Sequence, residues 1–188
     1  MLAALCIAAL LAGCQGRTED KGSAAESQTD KTTGTAQETG SQTASPESGM
    51  QGETGTYEDG STPEYSGEKV KLTIDGEEVV IAMYDNTAAG AFIERLPLND
   101  ISFSDLSGIE KPAETPGEPF SIENEEPGYD PVTGEMVIYR PWGNFTIFYG
   151  DFRYSDELVP LGKVESGLEI LSGQNEDFTG TLEMMGEE

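Results

Sequence analysis

Histidine is absent from all 188 residues. That removes the side chain whose charge changes most readily near neutral pH, and with it any Ser-His-Asp or Cys-His arrangement and any imidazole metal ligand. Thiols are nearly absent too. The two cysteines, Cys6 and Cys14, both precede Gln15, so the rest of the chain holds no disulfide and no thiolate metal site. Positive charge is scarce: 10 Lys and Arg stand against 36 Asp and Glu, a net charge of -26. Phosphate backbones are bound by cations, so this balance excludes nucleic acid as a partner. The apolar run Met1 to Ala12 falls short of the about 20 residues that a membrane-spanning helix needs. No nucleophile-base pair, phosphate-cradling loop or zinc pattern is present, and neither a metal nor another cofactor is expected.

What the apolar run does contain is its ending, Leu11-Ala12-Gly13-Cys14. This tetrad resembles the lipobox of bacterial lipoprotein signal peptides. The resemblance implies a signal peptide over 1–13, cleavage before Cys14, and lipid chains such as palmitate on that cysteine. It implies an address on the extracytoplasmic face of a bacterial membrane. Gln15 follows the cysteine, so the Asp of an inner-membrane retention signal is missing. No Lys or Arg precedes the run, which points to a true start upstream of Met1. Anionic headgroups would repel so acidic a chain, so lipid is the expected attachment.

Composition then changes abruptly. Residues 14–66 are dominated by Ser, Thr, Gly, Glu and Gln. Such a stretch buries too little apolar surface to offset the entropy of ordering it. It reads as a disordered tether with a root-mean-square reach of roughly 40 Å. Residues 67–188 are enough for one ordinary domain with a single core. The acidity reads as solubility at a cell surface. Calcium capture is the sharper alternative, since Glu123, Glu125, Glu126 and Asp130 cluster, but no D-x-D-x-D-G loop accompanies them.

Periodicity gives the domain its elements. Val70, Leu72 and Ile74 alternate with polar residues as in a half-buried strand. Asp75-Gly76 is a hairpin signal, and Val79 to Tyr84 is the returning strand. Asp85, Asn86 and Thr87 offer capping side chains to a helix whose stripe is Ala88, Ala89, Phe92, Ile93 and Leu96, closed by Pro97. Further strands are expected over 101–106, 136–139, 145–149 and 159–164, with a short helix near 168–171 and a closing strand over 178–184. The Pro-, Glu- and Gly-rich stretch 110–130 reads as long loops. Many strands with two short helices indicate a mainly β fold, a closed barrel with helices at its ends.

Two stretches resemble cyclophilins. Leu161-Gly162-Lys163-Val164-Glu165-Ser166-Gly167-Leu168-Glu169-Ile170 is similar to the family motif F-G-K-V-x-x-G-x-[DE]-[VI], and Ile81 to Phe92 is similar to the opening of the first helix. A nearer resemblance is to bacterial cyclophilin-like domains of unassigned activity. It rests on Leu96-Pro97, Phe103-Ser104-Asp105, Gly108-x-Glu110-Lys111 and Pro141-Trp142-Gly143-Asn144-Phe145-x-Ile147-Phe148-Tyr149. The implied fold is a closed eight-stranded cyclophilin-like barrel with two capping helices.

Departures from the isomerases shape the expected function. Their F-H-[RK] strand carries an arginine that stabilises the twisted X-Pro bond; here the stretch reads Phe103-Ser104-Asp105, with a carboxylate where a donor is needed. Their pocket histidine would fall near Leu158. Of their S-Q-F-F pattern only Phe145 remains. Arg140 and Arg153 are the cations left to supply a donor. The expectation is therefore a barrel that binds a peptide or small ligand without catalysis. A divergent peptidyl-prolyl isomerase and a purely structural surface protein are the alternatives. The candidate ligand-binding residues are Trp142, Arg140, Asn144, Tyr149, Glu110 and Lys111. Trp142 is either a binding anchor or a lid on the barrel end. Glu110 and Lys111 either line the same pocket or form a solvated pair, and Phe145, Ile147 and Phe148 read as core.

Overall fold

The computed structural model describes residues 53–186. The tetrad ending in Cys14, and most of the stretch read as a tether, lie outside the described residues. The hairpin forms as the alternation indicates. β1 (Tyr65–Ile74) turns through Asp75 and Gly76 into β2 (Glu77–Tyr84). Both turn residues take positive φ, 50° and 88°, the mirror-image turn that matches strand twist. α1 (Thr87–Ile93) follows. Asn86 caps it: the side-chain oxygen accepts from Ala89 N at 2.8 Å, while its amide donates to Pro160 O at 2.8 Å. One side chain thus starts the helix and ties it to the barrel wall.

α1 is shorter than its apolar stripe. Arg95 N donates to Phe92 O and Leu96 N to Ile93 O, both at 3.1 Å, so the last turn tightens to i→i+3 bonding. Leu96 precedes Pro97 and is disfavoured in the α region. The remaining elements are β3 (Leu98–Phe103), β4 (Glu110–Glu114), β5 (Glu135–Tyr139), β6 (Asn144–Phe148), β7 (Leu158–Ser166), α2 (Leu168–Gly173) and β8 (Phe178–Met184). They close in the order β1-β2-β7-β5-β6-β4-β3-β8. All neighbours are antiparallel. The fold is mainly β, an eight-stranded closed barrel with two helices.

One strand differs from the sequence expectation. β4, Glu-Lys-Pro-Ala-Glu, lies in the stretch read as loop. Charge and an internal proline hide it, because proline cannot donate to a ladder. It is held by β6 through Glu110, Lys111 and Pro112, and by β3 through Glu114 and Ala113. β3 also starts and ends earlier than the expected 101–106.

The folded unit begins earlier than Gly67. Thr56 and Asp130 exchange backbone hydrogen bonds of 3.1 and 2.8 Å. Gly55 N donates to the Glu135 carboxylate at 2.9 Å, and Tyr57 packs edge-on against Tyr129. Residues 53–66 therefore include chain that composition assigned to the tether. The cause is local: Gly55 permits an approach that a Cβ would block, at 2.6 Å from Asp130 O.

Inside the barrel, Leu72, Ile81, Met136, Ile138, Phe145, Ile147 and Leu161 form one core with Phe92 of α1. Outside it lies a second apolar cluster of Tyr129, Val137, Phe148 and Leu158, with Tyr57, Tyr139 and Phe152 against it. β5 and β6 are therefore buried on both faces, and β5 accordingly reads as a continuous apolar run, Met136 to Tyr139, rather than as alternation.

Two glycines test the packing in opposite directions. A Cβ on Gly162 would meet Ala82 O at 2.5 Å, across the β2–β7 pairing. Gly162→Ala is expected to destabilise the domain by about 1–3 kcal/mol. Gly90, exposed within α1, has open space around it. Gly90→Ala is expected to stabilise by roughly 0.5–1 kcal/mol. Urea unfolding midpoints of the two variants decide both; equal midpoints would contradict this account of the packing.

Candidate functional site

The outer face of β4, β6, β5 and β7 carries the site. Residues two apart on a strand share a face, so Asn144, Thr146 and Phe148 of β6 point outward while Phe145 and Ile147 point into the barrel. The pairing sets Pro112 opposite Thr146 and Glu110 opposite Phe148. Tyr139 stands opposite both Asn144 and Leu158. These residues, with Leu106, Trp142, Phe152 and Ser155, line a partly enclosed pocket of about 200 Å³.

Aromatic rings form much of its wall. Trp142 is 67 % exposed and stands edge-on to Tyr139, with ring centroids 5.2 Å apart. Phe148 and Phe152 stack at 4.9 Å. Trp142 sits in a tight turn, since Gly143 N returns to Tyr139 O at 2.8 Å and Gly143 takes φ 64°. The turn thus holds the indole at the pocket mouth.

The polar groups of the pocket are poorly matched. Asn144 donates to Ala113 O at 3.4 Å, which orients its amide and leaves Oδ1 buried without a donor. The Thr146 hydroxyl is buried and also lacks a partner. Burial pushes the Glu110 carboxyl above its usual range, with the Thr146 hydroxyl beside it acting in the opposite direction but not in normal hydrogen-bond geometry. No Lys or Arg lines the pocket.

The candidate residues therefore separate into three groups. Trp142, Asn144 and Glu110 meet in the pocket. Lys111, one residue along β4, points the other way and is fully buried. Its ammonium donates to Asp105 Oδ2 at 2.5 Å and to Gln174 O, and lies 4.6 Å from the centre of the Tyr149 ring. The Tyr149 hydroxyl donates to the same Asp105 oxygen. Glu110 and Lys111 are thus neither a solvated pair nor parts of one site, because strand pleating divides them. Arg140 forms the third group. Its guanidinium donates to Glu125 O at 3.2 Å and to Glu126 O at 2.7 Å, clamping the segment before Tyr129. Arg153 lies 5.4 Å over the Phe152 ring rather than in the pocket lining.

Sequence reading missed Tyr139, Thr146, Phe152 and Ser155; Phe148, read as core, is buried in the outer apolar cluster and also lines the pocket. The alternation Asn144-Thr146-Phe148 carried the signal for β6. Phe152 and Ser155 lie on an irregular segment and had none. Leu158, where resemblance puts the isomerase histidine, does line the pocket, with an aliphatic side chain. Among the described residues no group of three or more acidic side chains is placed to hold a metal ion.

The Lys111 cluster makes a prediction about acid. The Lys111 ammonium, then the Tyr149 hydroxyl, hold the Asp105 carboxyl down to about 2 from 3.8. A carboxyl lowered on folding stabilises the fold above its unfolded pKa and loses that contribution as pH falls through its folded value. Asp105→Asn should lower the melting temperature at neutral pH, and its difference from the parent should shrink between about pH 4 and pH 2. Thermal melts across that range read it; a difference independent of pH would refute the assignment.

Comparison with known proteins gives the barrel its relatives. A hypothetical protein of Archaeoglobus fulgidus, known from a solution structure, superposes with a TM-score of 0.50 at 16 % identity, covering 64 % of this chain and 96 % of its own. At that identity the likeness is one of fold. No curated protein matches the chain. The Cyclophilin-like family matches residues 72–183, from the last residues of β1 almost to the end of β8. The chain belongs to the Cyclophilin-like family.

Proposed function

We propose that this protein is lipid-anchored on the extracytoplasmic face of a bacterial membrane and that its barrel binds a small ligand or peptide side chain beside Trp142, without turning it over. One observation carries the binding reading: a pocket of about 200 Å³ has aromatic walls and buried polar atoms with no partner. Native structures leave few such atoms unmatched; two of those among the described residues, Asn144 Oδ1 and Thr146 Oγ1, share this concavity, which favours a ligand that completes them. The volume is below the about 300–1,000 Å³ usual for drug-sized ligands. A group the size of one amino-acid side chain fits that space.

Chemistry argues against isomerase activity. Twisting an X-Pro bond calls for a donor at the proline nitrogen. No lysine or arginine lines this pocket, so it lacks the charged donor that the resemblance gives the isomerases. Arg140 is engaged elsewhere.

Trp142 is the only tryptophan, so its emission reports the pocket directly. Titration with short peptides, alkylamines, alcohols and carboxylates should yield at least one ligand that shifts it. Trp142→Ala should weaken that ligand about tenfold or more, as for a central anchor, by calorimetry. If no compound moves the emission or the pocket resonances, the reading fails in favour of a structural surface protein. A proline-peptide isomerisation rate above background would replace it with the isomerase.

The anchor has its own test. Cys14→Ser should move the protein from the membrane fraction to the soluble fraction. Persistence at the membrane would contradict lipid attachment.

A further inference from the structure

The unmatched polar atoms of the pocket share one character, and it selects a ligand class. Asn144 presents Oδ1 as its unpartnered atom, since its amino group donates to Ala113 O. Glu110 supplies carboxylate oxygens. When Thr146 donates toward that carboxylate, its oxygen lone pairs remain to accept. Thr146 and Asn144 are two residues apart on one face of β6. Glu110 is diagonal to Thr146 across the β4–β6 pairing, a spacing of about 7–8 Å that a long side chain spans. Three acceptor groups thus converge beneath the aromatic wall.

We propose that the pocket receives a primary ammonium group on a short apolar arm, a deepening that rests on the ligand-binding reading above. A protonated primary amine carries three N–H donors and no acceptor, matching Asn144 Oδ1, the Glu110 carboxylate and the Thr146 hydroxyl oxygen, each of which can accept. Its arm lies against Tyr139, Phe148, Phe152 and Leu158. Trp142 and Tyr139 add the attraction of ring faces for a cation. No lining cation competes for Glu110, whose half-buried carboxyl has no positive partner in the lining. The surrounding charge of -26 concentrates cations at the mouth. The source is either a free alkylamine or a lysine side chain of a peptide, and the shared chemistry is the ammonium and its methylene arm.

The full-length protein is titrated with n-butylamine and with Nα-acetyl-lysine N-methylamide, followed by Trp142 emission and by the resonances of Asn144 and Thr146. The controls are 1-butanol, butyrate and n-butyltrimethylammonium. The amines should bind at least about tenfold more tightly than every control. Tighter binding of the lysine derivative assigns the peptide source, and tighter binding of butylamine the free one. Glu110→Gln should remove most of the preference for amine over alcohol. Thr146→Val, nearly isosteric, should weaken amine binding several-fold and serves if Glu110→Gln fails to fold by near-UV circular dichroism. Butanol within twofold of butylamine would overturn the ammonium assignment while leaving the ligand-binding reading intact. So would equal binding of the trimethylated amine, which lacks N–H donors. No response to any probe at either readout overturns both.

Discussion

The pleat of β6 governs this molecule. Five residues, Asn144 to Phe148, serve two environments at once. Phe145 and Ile147 fill the barrel, where Phe145 meets Phe92, Phe103 and Phe120 at ring distances of 5.3, 5.8 and 6.2 Å. Asn144, Thr146 and Phe148 face the opposite way and build the pocket. Burial of each large apolar side chain contributes about 1.5–3 kcal/mol, so a slip of one residue would forfeit several such terms and drive Asn144 and Thr146 into the core. Register is therefore strongly specified, and the pocket inherits its geometry from the packing on the other side of the sheet. The exposed Trp142 follows from the same constraint, since its turn joins β5 to β6 and both strands are fixed.

The fold treats buried charge in two contrasting ways. Glu135, fully buried on β5, accepts at one oxygen from Tyr84 at 2.7 Å, Tyr129 at 2.9 Å and Gly55 N at 2.9 Å. Burial still pushes its carboxyl above the usual range, because hydrogen bonds from neutral donors do not replace water fully. Lys111 instead has a counter-ion in Asp105, with the Tyr149 hydroxyl bracing that carboxylate. Each knot joins distant pieces of chain: Glu135 gathers residue 55 to β5, and Lys111 gathers the 105 loop to the chain just after α2. The pocket group Glu110 has neither arrangement. Glu135 Oε2 is buried without a partner, whereas Glu110 faces a concavity that a ligand of the proposed kind could enter.

Local signals made most of the fold legible. Strict alternation marked β1, Asp75-Gly76 marked its turn, and Asn86 before an apolar stripe marked α1. β4 was illegible because Glu110, Lys111, Pro112 and Glu114 look like loop, and only closure between β3 and β6 makes them a strand. The site was half legible. Trp142, Asn144 and Glu110 converge, and their turn and aromatic neighbourhood hinted at it. Lys111 and Tyr149 parted from them because sequence proximity does not reveal which face of a strand a residue takes. Arg140 parted because its partners are backbone carbonyls of residues 125 and 126, which carry no side-chain signature. Gly55 and Tyr57 escaped notice because two residues cannot alter the composition of a long polar stretch.

Family membership settles the barrel and leaves its chemistry to the outer face, since one fold hosts many functions. The residues there set the sign of what it can hold. Isomerase-like barrels, as the resemblance implies, bring a donor to a proline nitrogen. This barrel has Leu158 where the histidine would stand, and it turns carboxylate, amide oxygen and hydroxyl toward the same cavity. The Glu110 carboxylate repels an anionic ligand and no lining cation receives one, so on the proposed reading the chemistry that disfavours isomerisation also favours cations. The scarcity of positive charge in the chain then acts in concert with the site: a surface of one sign gathers the counter-charge, and a pocket without lysine or arginine leaves it unopposed.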